Sequence, residues 1–194
     1  MNKSRTEAFT DAVIAIVMTI LVLDFPKIHG HTFADLLVMK EIFLAYVMSF
    51  IFLVIYWHNH HHIFQLIDIV NGQTLWLNNA FIFLITLLPF ATSWLGDSIW
   101  ARDPEILYAT LFLLINMMWL LMVKNLVKVN GHKPEVSEIL GDYKKSYLTL
   151  GLNVLAMIFA FCFPTGGLIV NGCSFLLWVI PNKQIEKLKN PSKD

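Results

Sequence analysis

Charge is scarce in this chain. Only 14% of its 194 residues are Asp, Glu, Lys or Arg, and the two signs cancel at 14 each, so no net field recommends nucleic acid or an acidic macromolecule as a partner. Cysteine is scarcer still. Cys162 and Cys173 both sit in apolar stretches, with neither zinc spacing nor a disulfide framework. Arginine occurs as Arg5 and Arg102 alone, which excludes a voltage-sensing run. There is no Walker A or other glycine-rich phosphate loop, no TVGYG-like segment to supply carbonyl rings, and no Ser, His and Asp that can be placed together on one face. Catalysis has little to stand on, and the chain is not expected to be an enzyme. No repeat of about 20–50 residues interrupts it.

What is abundant is apolar surface: 57% of the residues are hydrophobic, well outside the usual soluble balance. Crossing a hydrocarbon core of about 30 Å takes roughly 20 apolar residues at about 1.5 Å each. Six stretches come close to this, at about 5–24, 39–57, 74–95, 105–123, 147–163 and 168–184. Together they make 1–194 a single transmembrane domain of an all-α integral membrane protein. The first stretch is closed by Pro26 and lacks a small-x-small cleavage site before Asp24, so it reads as a retained span. The third contains Pro89 and is expected to kink. The last is the shortest apolar run and needs the polar residues after Ile180 to complete a crossing.

Lys and Arg accumulate on the cytoplasmic side of membrane proteins. With six spans and both termini cytoplasmic, Lys3, Arg5, Lys124, Lys128, Lys133, Lys144, Lys145, Lys183, Lys187, Lys189 and Lys193 lie inside. Lys27, Lys40 and Arg102 lie outside. An odd number of spans would put the last four lysines on the wrong side.

The first span, "RTEAFTDAVIAIVMTILVLDF", opens with charge. At about 100° per residue, Ile16, Ile20 and Leu23 fall within about 60° of one another, with Ala12 and Thr19 on the flank and Asp11 opposite. Such a branched apolar seam serves either lipid contact and helix packing or, around the axis of an oligomer, a dewetting constriction. Intramembrane acids such as Asp11 usually face a bundle interior and pair. Its candidate partners are Arg5 and the histidines of "YWHNHHHIF".

Those histidines are His58, His60, His61 and His62. His58 with His61 or His62 has the spacing that puts two imidazoles on one helical face, which leaves a metal- or haem-binding protein as an alternative. No Glu-x-x-His motif stands on another helix to complete such a site. A proton relay through Asp11 and the histidines is a further alternative. Asn78 and Asn79, inside the third span, need partners across helices.

Arg5, Phe9, Thr10 and Asp11, followed by "AVIAIVMTILVLDFP", closely resemble the R-x-x-x-F-S-D signature of the transmembrane protein 175 family of potassium channels. The family's second-helix Trp-x-x-His-His pattern matches Trp57, His60 and His61. Its third-helix pattern matches Leu77-Asn78 and Pro89-Phe90-x-Thr92. Thr10 departs from the usual serine but keeps the hydroxyl. The resemblance is specific over three spans and extends over the rest in hydropathy. It implies a six-helix subunit of a homotetramer in the cell membrane, most simply a prokaryotic plasma membrane, conducting K⁺ passively without a cofactor. Carried over by position, Ile16, Thr19, Ile20 and Leu23 would line a constriction formed by the first helix. Arg5, Phe9, Thr10, Asp11, Trp57, His60, His61 and Asn78 would form a polar knot behind it. An ideal wheel puts Arg5 nearer the seam than Asp11, so the knot would require Arg5 to reach sideways.

Overall fold

The computed structural model describes residues 2–28 and 30–179. Helices α1 (Lys3–Leu23), α2 (Phe33–Leu36), α3 (Lys40–Leu66), α4 (Gly72–Thr86), α5 (Leu88–Asp97), α6 (Arg102–Asn130), α7 (Pro134–Leu140), α8 (Lys144–Cys162) and α9 (Pro164–Val179) follow one another, with no strand among the described residues. Among the described residues, five stretches are long and apolar enough to cross a membrane: Lys3–Leu23, Phe33–Leu66, Gly72–Asp97, Arg102–Asn130 and Pro134–Cys162. A shorter apolar helix covers Thr165–Trp178. The end of the expected sixth span, together with Lys183, Lys187, Lys189 and Lys193, lies outside the described residues.

The apolar runs read from the sequence are the middles of longer helices. Beyond Trp57, α3 continues to Leu66 because His60, Ile63 and Phe64 keep one face buried. Beyond Val123, α6 continues to Asn130 on the buried Asn125, Leu126 and Asn130. The segment expected to be a polar linker also contains α7, started by Pro134 and held by the buried Val136, Ile139 and Leu140, an i, i+3, i+4 stripe. At Pro89 the third crossing stretch breaks into α4 and α5 around Leu87. Proline has no N–H to continue the ladder and is favoured in a first turn, where it now stands.

The core centres on α6, which packs against α4, α5, α8 and α9, while α1 packs on α3, α4 and α5. Phe52, Tyr56, Phe81, Phe112 and Trp119 form an aromatic cluster, with the Phe52 and Phe112 rings 4.0 Å apart. Polar strings cross this apolar interior. The Tyr56 hydroxyl donates to Asn116 Oδ1. Asn116 Nδ2 then donates to Asn153 Oδ1 at 2.7 Å, and Asn153 Nδ2 to Asn171 Oδ1 at 3.0 Å, tying α3, α6, α8 and α9 together. A second cluster joins Ser49 to Thr92 (2.7 Å) and to Tyr108 (2.8 Å). Where no water competes, such bonds satisfy groups that would otherwise be costly to bury. The start of α9 has its own requirement. A Cβ at Gly167 would lie 2.5 Å from Glu105 Oε1 and 2.7 Å from the Ala156 carbonyl oxygen, so the close approach of α9 to α6 and α8 needs glycine there.

Contacts at the helix ends set which termini share an end of the bundle. Lys3 Nζ donates to the Ile67 carbonyl (2.7 Å), joining the start of α1 to the end of α3. Asn130 Oδ1 accepts the Asp68 and Ile69 N–H groups at 2.9 and 2.8 Å, bringing the end of α6 there too. Lys133 Nζ lies 2.5 Å from Asp68 Oδ2, and its hydrogen bond is the chief reason the Asp68 carboxyl is held below its ordinary value of 3.8. At the opposite end the Ile99 N–H donates to Glu41 at 3.2 Å. Lys3, Arg5, Lys124, Lys128, Lys133, Lys144 and Lys145 therefore cluster towards one end. Lys27, Lys40 and Arg102 stand at the other.

Candidate functional site

Helix α1 has two faces of opposite character. Thr6, Thr10, Ile14, Val17 and Leu21 recur every three or four residues and are buried against the rest of the subunit. The other face is left uncovered: Ile16 is 58% exposed, Ile20 38% and Leu23 77%. Thr19 lies beside them, with its hydroxyl donating to the Ile16 carbonyl at 2.7 Å. That bond uses the only hydroxyl proton and leaves the oxygen lone pairs as the group's outward chemistry. A four-residue apolar face on a helix that is firmly docked on its other side must meet lipid, a partner or a water path.

The docking side is polar at its base, and the donors are ordered. His60 Nε2 is 3.1 Å from Asn78 Oδ1, Asn78 Nδ2 donates to Thr10 Oγ1 at 2.8 Å, and the Thr10 hydroxyl donates to the Thr6 carbonyl at 3.0 Å. Because Asn78 Oδ1 can only accept, His60 must carry its proton on Nε2. Thr10, His60 and Asn78 are all 0% exposed, so this string from α3 through α4 to α1 is sealed from water. The His60 ring also stacks on Phe64, with centroids 4.2 Å apart.

A second, more open set lies one helical turn to the side. The Trp57 indole lies beside the Asp11 carboxylate, whose Oδ1 is buried without a hydrogen-bond partner. His61 Nδ1 is 2.9 Å from Glu7 Oε1, and the Gln65 amide reaches His61 Nε2 at 2.5 Å. Trp57 and His61 stack nearly parallel at 6.2 Å. Glu7 and Asp11 therefore form an acid pair at i, i+4 on α1, facing a Trp and His pair at i, i+4 on α3.

The structure thus gathers Thr10, His60 and Asn78 into one string, and Asp11, Trp57 and His61 into its neighbour. It does not bring Arg5 or Phe9 into either. Phe9 is 55% exposed, and Arg5 lines a cleft of about 600 Å³ with Thr6, Phe9, Leu75, Trp76 and Asn79. The regular α-helix from Lys3 onward keeps Arg5 about 120° from Asp11, on the side of Ile16 and Leu23. Sequence reasoning passed over Glu7, although its spacing from Asp11 marks it as a member of the same face. It also passed over the Tyr56, Asn116, Asn153 and Asn171 string, which carries the same signal as Asn78: amides inside apolar runs.

Of the four clustered histidines, His60 and His61 are engaged as described. His58 and His62 face each other, with Nε2 atoms 2.8 Å apart. No group of three or more His, Cys, Asp or Glu side chains converges as a metal cage among the described residues.

The family described as endosomal/lysosomal potassium channel TMEM175 matches residues 5–89, the stretch that contains α1, α3 and both polar sets. A potassium channel of Chryseobacterium sp. (strain P1-3) is 35% identical over 187 residues, covering 96% of this chain and 97% of the relative. The crystal structure of a lysosomal potassium-selective channel TMEM175 homolog from Chamaesiphon minutus superposes with a TM-score of 0.79 at 27% identity, covering 91% of this chain and 96% of that one. An endosomal/lysosomal proton channel TMEM175 of Gallus gallus is 26% identical over 179 residues, covering 82% of this chain but 34% of the relative.

Proposed function

This chain belongs to the TMEM175 family, and from that premise we propose that it is a potassium channel whose conducting path is lined by α1. The family is one of ion channels rather than enzymes. Six crossings, with both termini in the cytoplasm of a prokaryotic cell, agree with the bunching of Lys and Arg at one end of the bundle. Four copies around an axis would bring four α1 helices together, so that Ile16, Ile20 and Leu23 form stacked apolar rings with Thr19 between them.

The observation that carries this reading is the uncovered Ile16, Ile20 and Leu23 face on a helix whose other side is pinned by buried hydrogen bonds. A constriction needs side chains that are free to face the axis and a backbone that cannot turn them away. The string from Thr10 through Asn78 to His60 supplies the second condition. An apolar neck offers no ligands to replace lost water, so it favours the ion that holds its water less tightly. Between K⁺ and Na⁺ that ion is K⁺.

Ile16→Asn tests the proposal. Placing amides in the ring should wet the neck and move the reversal potential measured in a K⁺/Na⁺ gradient towards that of an unselective pore. Unchanged selectivity would remove Ile16 from the constriction. The proton-channel name of the Gallus gallus relative motivates a second reading, in which the same path also passes protons. Liposomes loaded with a pH dye, with and without a K⁺ gradient, separate the two.

A further inference from the structure

His58 and His62 stand outside the Trp57, His60 and His61 pattern. We propose that they form a two-imidazole site for a divalent transition ion of the zinc, nickel or copper kind. One helical turn separates them on α3, and their Nε2 atoms lie 2.8 Å apart, with ring centroids 4.3 Å apart and the rings roughly perpendicular. At metal–nitrogen distances of about 2.0–2.1 Å, two cis ligands at about 90–110° stand roughly 2.9–3.4 Å apart. Rotation of the two rings, so that both Nε2 lone pairs turn to one point beside the line between them, lets an ion replace their hydrogen bond.

The polar approach is on the His62 side, since His58 itself lines an apolar cleft with Phe50, Ile51, Val54 and Trp178. His58 is exposed, and His62 lines a cleft of about 90 Å³ together with Asn59, Asp142, Lys145 and Ser146. The Asp142 carboxylate, on the short connection between α7 and α8, takes the Lys144 N–H on Oδ1 at 3.1 Å and supplies negative charge near the site. Lys145 supplies the opposing charge. Water would complete the coordination. Imidazole suits zinc, nickel and copper, while Mg²⁺ and Ca²⁺ take oxygen ligands, so the chemistry predicts a selectivity that carboxylates alone would not give. A bound ion would clamp the turn of α3 that also carries His61, the partner of Glu7 on α1.

The test uses the purified full chain in detergent, titrated with ZnCl₂, NiCl₂ or MgCl₂ by calorimetry. Zinc and nickel should bind once per chain and magnesium should not. His58→Ala and His62→Ala should each weaken binding at least about tenfold, since each leaves a single imidazole. Lowering the pH from 7.5 to 5.5 should weaken it by well over tenfold in the unmodified chain, because both imidazoles must be neutral to ligate. His58→Gln, which keeps size and polarity at an exposed position, should lose the ion while eluting and melting like the unmodified protein. Cys162→Ser with Cys173→Ser should bind normally. Unchanged binding in the His58 variants, or binding that follows the cysteines, would overturn the proposal. Because the readout is binding rather than conduction, it stands or falls apart from the channel reading.

Discussion

Asn78→Leu is the most informative single perturbation of the anchor behind α1. The substitution keeps the branched shape and the number of side-chain heavy atoms but removes two buried hydrogen bonds, from Asn78 to Thr10 at 2.8 Å and from His60 at 3.1 Å. Thr10 loses little, because its hydroxyl still donates to the Thr6 carbonyl. His60 loses more: Nδ1 already has no hydrogen-bond partner, so the substitution leaves a fully buried ring with neither nitrogen bonded. An unsatisfied buried group costs about 1–3 kcal/mol, and an interhelical bond in a membrane protein contributes roughly 0.6 kcal/mol. The expected loss is about 2–3 kcal/mol, roughly a 30- to 150-fold shift in the unfolding equilibrium. The assay is unfolding of the purified protein in mixed micelles with increasing detergent denaturant, followed by tryptophan fluorescence. His60→Phe combined with Asn78→Leu supplies the decisive comparison. Replacing both partners with apolar groups removes the orphan, so the pair should be less destabilised than the sum of the two single changes by about 1 kcal/mol or more. If Asn78→Leu unfolds like the unmodified chain, or if the two effects simply add, the directional string is not what holds α1.

Gly167→Ala should destabilise the docking of α9 by about 1–3 kcal/mol, because its methyl would overlap Glu105 Oε1 and the Ala156 carbonyl oxygen. Thermal melting of the purified protein checks it, and an unchanged midpoint would mean that α9 docks less closely than described. The Asp68 and Lys133 contact gives a pH signature. The Asp68 carboxyl is held below 3.8 by Lys133, so its contribution is present above that value and fades as pH falls through the lowered one. Lys133→Ala should remove that small contribution at neutral pH, so that the two proteins differ at pH 7 and converge as pH falls below about 4. An acid limb identical in the two proteins would refute the pairing.

Much of the architecture was legible because lipid-scale hydrophobicity is a local property. The apolar runs, the break forced by Pro89 and the seam of Ile16, Ile20 and Leu23 all follow from composition and spacing along the chain. The acid in the first span was legible as a group needing a partner, since a short carboxylate there cannot remain unpaired cheaply. Helix ends were harder to place. The expected stretches at 39–57 and 105–123 stop where hydrophobicity stops, whereas α3 and α6 run on to Leu66 and Asn130. Continuation there depends on burial of one face by other helices, which the local sequence does not record.

The partners of the polar residues belong to the same class of information. The motif names Arg5, Thr10, Asp11, His60 and His61 together, but residues close in a signature need not touch. Helix geometry turns Arg5 away from Asp11, and the approach of α3 to α1 places Trp57 beside Asp11 and pairs Glu7 with His61. The sequence by itself determined that this chain is a membrane bundle, which helix carries an apolar seam and which residue types must find partners, because transfer free energy and helical periodicity act over a few turns. Only the tertiary structure decided who those partners are, since hydrogen bonds close over about 3 Å between residues tens of positions apart, and that distance is set by how the helices pack.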